Sequence, residues 1–299
     1  MNTVKTDGRF IGYIAGVVAG IAYGLNPLFA HPLMSNDVSV PSMLFFRYLI
    51  AMICMGFLMS VRKESFRLRR SEITTVLILG VLFAFSSLFL FLSYKYIPSG
   101  LATTLVYLYP VFTALIMVFL HEYPTWRVWL SIAATFTGVI LLCMPKGDVS
   151  LNMLGLLLAA SSALSYALYL VIVNKSKSIK ELSEHTLTFY ALGSGAVIFL
   201  IFNFAGGNSN LIHGINSPIL WANLIALGIF PTMVSLLALA VSTRRIGATK
   251  TSVLGVFEPL TAIFIGTFIY GEPMTSNMVI GAAICVIAVL FMVVSGKKS

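Results

Sequence analysis

A chain of 299 residues with 59% hydrophobic residues, 10% charged residues and a mean hydropathy of +0.97 has too little polar surface to cover a water-soluble fold. Its formal net charge of +9 comes from cations scattered over short polar breaks, which excludes a soluble basic domain that could hold nucleic acid. The bilayer is the expected solvent, and attraction to anionic lipid headgroups is the expected use of the charge.

Apolar runs of about 20 residues recur along the chain. They predict helices over 10–33, 41–61, 72–94, 98–120, 126–144, 151–174, 185–205, 219–243, 247–269 and 276–295. Runs such as 77–92 and 280–294 are apolar on every face, which excludes the alternating pattern of a barrel strand. The expected fold class is therefore an all-α membrane protein with ten transmembrane helices. Lys5 and Arg9 precede a small-residue apolar run, as in a secretory signal. That run continues past Tyr23 without a small-x-small cleavage site, so it is expected to remain as the first helix. The breaks at 62–71, 175–184 and 206–218 are too short to fold alone and read as connectors.

Threading the spans back and forth puts nearly every cation on one side. Lys5, Arg9, Arg62, Lys63, Arg67, Arg69, Arg70, Arg127, Lys175, Lys177, Lys180, Arg244, Arg245, Lys250, Lys297 and Lys298 share a face, while Lys95 and Lys146 fall opposite. Positive loops resist translocation, so this face is expected to be cytoplasmic with both termini inside, in a prokaryotic plasma (inner) membrane.

The chain also repeats itself. Residues 99–114, SGLATTLVYLYPVFTA, align with 248–263, ATKTSVLGVFEPLTAI, placing Pro110 against Pro259. Upstream, Gly12, Tyr23, Phe46 and Gly80 recur in order as Gly155, Tyr166, Phe189 and Gly228. The halves expected are 1–148 and 149–299. Each holds five spans, and an odd number makes the second enter the membrane from the opposite side, giving two inverted five-helix repeats. Such repeats can exchange conformations and alternate the access of a central cavity; duplication that merely doubled a stable bundle is the other reading.

The motifs SYKYIPSGLA, YPVFTALIMVFLHE and EPLTAIFIGTFIYGEP, with a small-residue and aromatic first helix in each half, resemble the EamA-type drug/metabolite transporter superfamily. The most specific element is the pair of proline segments each followed by a glutamate, Glu122 and Glu272. The resemblance implies a ten-helix exporter or exchanger whose central cavity is lined by the third, fourth, eighth and ninth helices with the first and sixth. Substrates across that superfamily include amino acids, amines, nucleotide sugars and drugs. The reading adopted is a secondary active transporter of small metabolites, exporting or exchanging amino acids or amines. An ion channel or lipid scramblase is the alternative, with a membrane-embedded enzyme a distant third.

Two charges fall inside spans, Arg47 and Glu258. Each costs about 2.5–3.5 kcal/mol on insertion scales, so each needs a partner, a solvated cavity or a role. Glu258 stands about 16 Å from either end of its span, with Thr251, Gly255, Thr261 and Ala262 on or beside the same face. It is expected to hold a cationic substrate group or to take up a proton for coupling; a structural pairing, with Arg47 or between helices, is the alternative. Tyr109 occupies the matching position in the first half. Arg47 lies about 9 Å below the outer end of its span, where snorkelling competes with a role in binding a substrate carboxylate or stabilising a gate. The substrate pathway expected is Tyr23, Asn26, Arg47, Tyr107, Tyr109, Tyr166, Tyr169 and Glu258, with tyrosine faces available to an amine. Pro27, Pro110, Pro231 and Pro259 are expected hinges or kinks, and Pro32 also interrupts an apolar run. Gly12, Gly16, Gly20 and Gly24 recur every four residues, a packing stripe.

Cys54, Cys143 and Cys285 are widely separated within spans, and His31, His121, His185 and His213 lack ligand spacing. No catalytic residue, metal site or cofactor is expected, and nothing fixes a monomer or a homodimer. The expected partners are a small-molecule substrate and the lipid bilayer.

Overall fold

The structure is a computed structural model describing residues 3–97, 102, 105–142, 152–206, 210–269 and 276–295. Regular structure among the described residues is helical, without strands. The helices are α1 (Thr3–Gly24), α2 (Asn26–Met34), α3 (Val40–Val61), α4 (Arg70–Ser93), α5 (Tyr109–Phe119), α6 (Trp126–Leu142), α7 (Met153–Lys175), α8 (Glu184–Ala205) and α9 (Pro218–Gly228). A π-helical turn, Ile229–Val234, then leads into α10 (Ser235–Ile246), followed by α11 (Ala248–Leu254), α12 (Phe257–Phe268) and α13 (Ser276–Ser295).

Helix starts follow local chemistry. Ser39, Ser183 and Ser217 accept hydrogen bonds from the backbone N–H of Ser42, Thr186 and Leu220, and Asn152 accepts from Leu154 and Gly155. Each supplies an acceptor to N–H groups that a new helix leaves without partners. Gly247, at φ +89°, makes the tight reversal between α10 and α11 in a region open to glycine.

Among the described residues, six stretches are long and apolar enough to cross a membrane: Gly8–Met34, Val40–Val61, Arg70–Ser93, Met153–Lys175, Glu184–Ala205 and Pro218–Ile246. The other expected runs take shorter or divided forms. Run 126–144 is α6, of 17 residues; 276–295 is α13; and 98–120 retains α5, with much of its first part outside the described residues. Three runs expected to be continuous are not. Residues 10–33 break at Leu25, 219–243 widens into the π turn, and 247–269 splits between Leu254 and Phe257. Proline explains the positions, because it cannot donate to the carbonyl four residues back: Pro27, Pro231 and Pro259 each lie in or just after the interruption. Pro32 sits inside α2 without ending it.

The packing is built from pairs. α1 lies against α10, the π turn and α12; α4 against α7 and α8; α3 against α8 and α9; α6 against α13; α5 against α7 and α11; and α2 against α9. Large apolar side chains such as Phe57, Phe119, Phe264 and Ile287 face outward, as a lipid environment permits. The glycine stripe of α1 acts where the backbones approach most closely. A Cβ on Gly16 would strike Leu254 and Ser242, one on Gly20 would lie 2.9 Å from the Phe257 Cβ, and one on Gly24 would lie 2.6 Å from both the Glu258 carbonyl and the Thr261 Cβ. The stripe thus admits the interrupted backbone around Glu258 into contact with α1.

Gly24→Ala is expected to destabilise the purified protein by about 1–3 kcal/mol, read as a lower melting temperature in detergent, because backbone rather than a flexible side chain must yield. Gly8→Ala, whose Cβ would meet only the Arg245 Nη1 at 3.8 Å, is expected to leave it unchanged.

Candidate functional site

The backbone interruptions build the site. At Leu25 the turn tightens through Leu25 N to Ala22 O (3.3 Å) and Leu28 N to Leu25 O (3.1 Å). Before α5, Leu108 N donates to Leu105 O and Val111 N to Leu108 O, both at 3.0 Å. Before α12, Gly255 N donates to Ser252 O (3.1 Å) and Glu258 N to Gly255 O (2.9 Å). Two of these interruptions deliver side chains of the candidate site directly, since α5 opens on Tyr109 and Pro110 and α12 opens on Phe257 and Glu258. A carboxylate in a first helical turn also meets the positive end of the helix dipole.

Glu258 is 6% exposed, and the Tyr109 hydroxyl donates to its Oε1 at 3.4 Å. The Tyr109 hydroxyl lies over Gly255, where any Cβ would collide with it, so glycine at 255 is what lets the phenol reach the carboxylate. The Tyr107 hydroxyl donates to Val253 O at 3.1 Å and thereby ties the last turn of α11 to the chain before α5. Its ring meets that of Tyr109 edge-on at 5.7 Å.

From Tyr109 the aromatic contacts continue inward. The Tyr109 and Tyr166 rings are T-shaped at 4.7 Å between centroids, and Tyr166 stacks on Tyr23 at 6.1 Å. Tyr23 in turn lies 5.8 Å from the Cζ of Arg47. Glu258 and Arg47 therefore stand at the two ends of a row of three touching phenol rings. Tyr169 belongs to a second layer, against Phe83 at 5.6 Å, and its buried hydroxyl has no hydrogen-bond partner among the described residues. Asn26, the first residue of α2, is buried with both amide atoms likewise unpartnered.

Arg47 does not snorkel; it is 0% exposed and turned into the bundle. Its Nε donates to Thr232 Oγ1 at 2.5 Å and its Nη2 to Pro231 O at 3.3 Å, both in the π turn. The Thr232 hydroxyl donates on to Leu227 O at 2.8 Å, the carbonyl four residues before Pro231. Tyr48 and Phe91 add ring faces at 6.0 and 5.6 Å from Cζ. Arg47 and Glu258 are not paired with each other, so the structural ion pair considered from the sequence is not what holds either charge. Residues that the sequence did not single out complete the surroundings. Thr232 clasps Arg47, and Tyr48 donates to Phe83 O at 3.0 Å with Ser87 Oγ at 2.8 Å.

At one end of the bundle the loops interlock through charges. Arg69 pairs with Glu181 at 2.9 Å, His185 Nδ1 faces Glu64 at 3.0 Å, Lys175 pairs with Glu122, and Arg244 approaches Glu184 at 3.7 Å. Arg244 also donates to the carbonyls of Leu182 and Ile179, and Tyr190 donates to Phe66 O at 2.7 Å. Glu122, the glutamate following the first proline segment, is thus an ion-pair strut between loops; Glu272, Cys143, Lys146, Lys297 and Lys298 lie outside the described residues. A cleft of about 570 Å³ lies here between 64–72 and 181–186.

Helices of membrane-crossing length around a buried charged and phenolic interior define an integral membrane protein. The EamA-like transporter family matches residues 10–144 and again 153–294, and the chain belongs to that family. It is an EamA-family transporter of small molecules. Among relatives, it is 27% identical over 222 residues to the Bacillus subtilis uncharacterized transporter YdfC, covering 74% of this chain and 71% of the relative. It is 27% identical over 277 residues to the B. subtilis uncharacterized transporter YxxF (90% and 85%) and 28% identical over 204 residues to an S-adenosylmethionine uptake transporter of Rickettsia prowazekii (68% and 65%). A solved crystal structure of another protein matches with a TM-score of 0.80 at 17% identity, covering 94% of this chain and 97% of that one, a likeness of fold.

Thr232→Val removes the acceptor of Arg47 and the donor to Leu227 together. It is expected to cost about 1–3 kcal/mol of stability in a detergent melt, whereas Thr232→Ser should stay near wild type. Glu181→Gln, at the exposed Arg69 pair, is expected to change stability by less than about 1 kcal/mol.

Proposed function

We propose that the chain is a secondary active transporter that moves a small amino-bearing metabolite, an amino acid or an amine, by alternating access, as an exporter or exchanger in a bacterial inner membrane. The observation that carries this reading is Glu258: a buried carboxylate at a helix interruption, capped by one phenol of a row whose other faces suit an organic cation. The substrate's ammonium takes the place of the Tyr109 hydroxyl at Glu258. When no substrate is bound, a proton can do so, which makes the same residue the coupling group. The name of the Rickettsia relative favours the same chemistry, since S-adenosylmethionine carries a sulfonium and an ammonium.

The reading includes ten spans arranged as two inverted five-helix repeats, 1–148 and 149–299, with both termini cytoplasmic. Two observations support it. The family matches the chain twice, once in each half. The packing pairs also interchange when the halves are exchanged: α1 with α10 answers to α7 with α4, and the pairs α3–α8 and α6–α13 each answer to themselves. The cation-rich end, held by Arg69–Glu181, Lys175–Glu122 and His185–Glu64, is then the closed cytoplasmic gate, and each of those contacts joins one half to the other. On the outer side the moving parts are α2 and α9, which pack together and are joined to the bundle through the Leu25 break and the π turn, with Pro27 and Pro231 at the hinges and Pro110 and Pro259 fixing the central kinks.

In proteoliposomes loaded with labelled amino acids and amines, Glu258→Gln is expected to lose about tenfold or more of the saturable flux and to flatten its dependence on pH. An unchanged rate and pH profile would eliminate Glu258 from the mechanism. Tags at the two ends of the chain are expected to be reached by reagents from the cytoplasmic side alone; tags on different sides would overturn the inverted arrangement.

A further inference from the structure

Arg47 is a buried cation with no charged partner in hydrogen-bond or ion-pair contact among the described residues. Its guanidinium is 0% exposed, its Nε and Nη2 are spent on a hydroxyl and a backbone carbonyl, and its Nη1 has no hydrogen-bond partner of normal geometry among the described residues, with the Tyr23 phenol the nearest polar side chain left to it. Among the described residues no carboxylate pairs with it, and Tyr23, Tyr48 and Phe91 provide the remaining surroundings. Ring faces attract a cation but do not replace the hydrogen bonds that a guanidinium fork loses on leaving water. A purely structural clamp on the π turn would be served as well by a neutral donor, without the cost of burying a charge. What a guanidinium adds is a planar fork that matches a carboxylate, and the free Nη1 is the prong still available for one.

The position completes the case. Tyr23, 5.8 Å from the Arg47 Cζ, is the last ring of the row that ends at Glu258, so the cation and the carboxylate face the same phenolic interior from opposite ends. We infer that Arg47 is the subsite for a substrate carboxylate, so that the transporter takes molecules carrying both an organic cation and a carboxylate, in preference to simple amines. This rests on the proposed role of Glu258 and narrows it. It also ties recognition to movement. A carboxylate that engages the fork through Nη1 and Nη2 together takes Nη2 from the Pro231 carbonyl and so loosens the π turn between α9 and α10.

The test is a matched series in which each amino acid is paired with its decarboxylated amine: L-phenylalanine with phenethylamine, where cation and carboxylate are adjacent, and L-lysine with cadaverine and L-arginine with agmatine, where a second cation stands further off. Wild-type protein in proteoliposomes is expected to bind and move the carboxylate-bearing member of at least one pair about tenfold or more better than its partner, and Arg47→Gln to abolish that preference while Arg47→Lys retains part of it. Binding is read in parallel as a shift in melting temperature, so that a variant that folds but translocates slowly still reports. A clamp without a substrate role would slow both members of every pair alike and leave their ratio intact, and that result in Arg47→Gln overturns the inference. Amines moved as well as, or better than, the amino acids by the wild type also overturn it, while leaving the Glu258 reading standing. If no member of any pair binds or moves, the amino-cation reading of Glu258 falls, and this inference falls with it.

Discussion

The constraint on which the rest depends is that a backbone interrupted inside a bilayer must find its hydrogen bonds within the protein. Interruptions fall beside the prolines at 27, 110, 231 and 259, and the structure shows donors reaching several of the carbonyls there. The Gly255 carbonyl accepts from Glu258 N, the Leu227 carbonyl accepts from the Thr232 hydroxyl, and the Val253 carbonyl accepts from Tyr107. Each repair is also a delivery. The first places a carboxylate on the opening turn of α12, the second sets the hydroxyl that receives Arg47, and the third fixes the phenol beside Tyr109. The polar interior is thus what the main chain needs in order to be broken in lipid, with the site residues included in the repair.

The same constraint explains why α1 is glycine-rich on one face. A helix interruption brings carbonyls to the helix surface, and only a neighbour without side chains allows a second helix to cover them closely. Gly20 and Gly24 sit where the Leu254 and Glu258 carbonyls approach, at 3.1 and 2.6 Å from an added Cβ. Van der Waals contact with small residues, rather than burial of apolar surface, is what drives helix association in a membrane, and here it coincides with the segment that carries the acidic group.

Much of this was legible in the sequence, and the reason differs residue by residue. Apolar runs of bilayer length fixed where helices lie, because the length requirement is set by the solvent. Glu258 and Arg47 stood out because a charge in such a run is costly. The proline positions marked the interruptions, but whether a proline breaks a helix, widens it or is absorbed depends on what its neighbours offer. Pro231 gives a π turn because Thr232 and Arg47 supply the bonds, while Pro32 is carried inside α2. No periodicity announces that Thr232 and Arg47 meet, since they are 185 residues apart. The division of the tyrosines was also out of reach: Tyr23, Tyr109 and Tyr166 form the row, Tyr107 is a strut, and Tyr169 stands a layer behind, although all five read alike as phenols within spans.

The two ends of the bundle are held by forces of different strength, and that difference bears on how a cycle could run. At the cation-rich end, long charged side chains close the loops in partly exposed positions, where each pair contributes about 0–1 kcal/mol and several must act together. Towards the other end, α2 and α9 meet through apolar contacts such as the stacked Phe29 and Phe230 at 6.2 Å, next to a buried guanidinium bonded to the π turn. Screened ion pairs can be exchanged for water at little net cost, so on the proposed mechanism the ionic gate needs no substrate to open. The second is coupled to a buried charge, and moving it changes what that charge is bonded to. On the proposed mechanism the substrate therefore acts mainly on the α2–α9 side. On the same mechanism the ionic end follows through α10, which carries Arg244 and packs on α1, and through α7, which carries Lys175 and packs on α4.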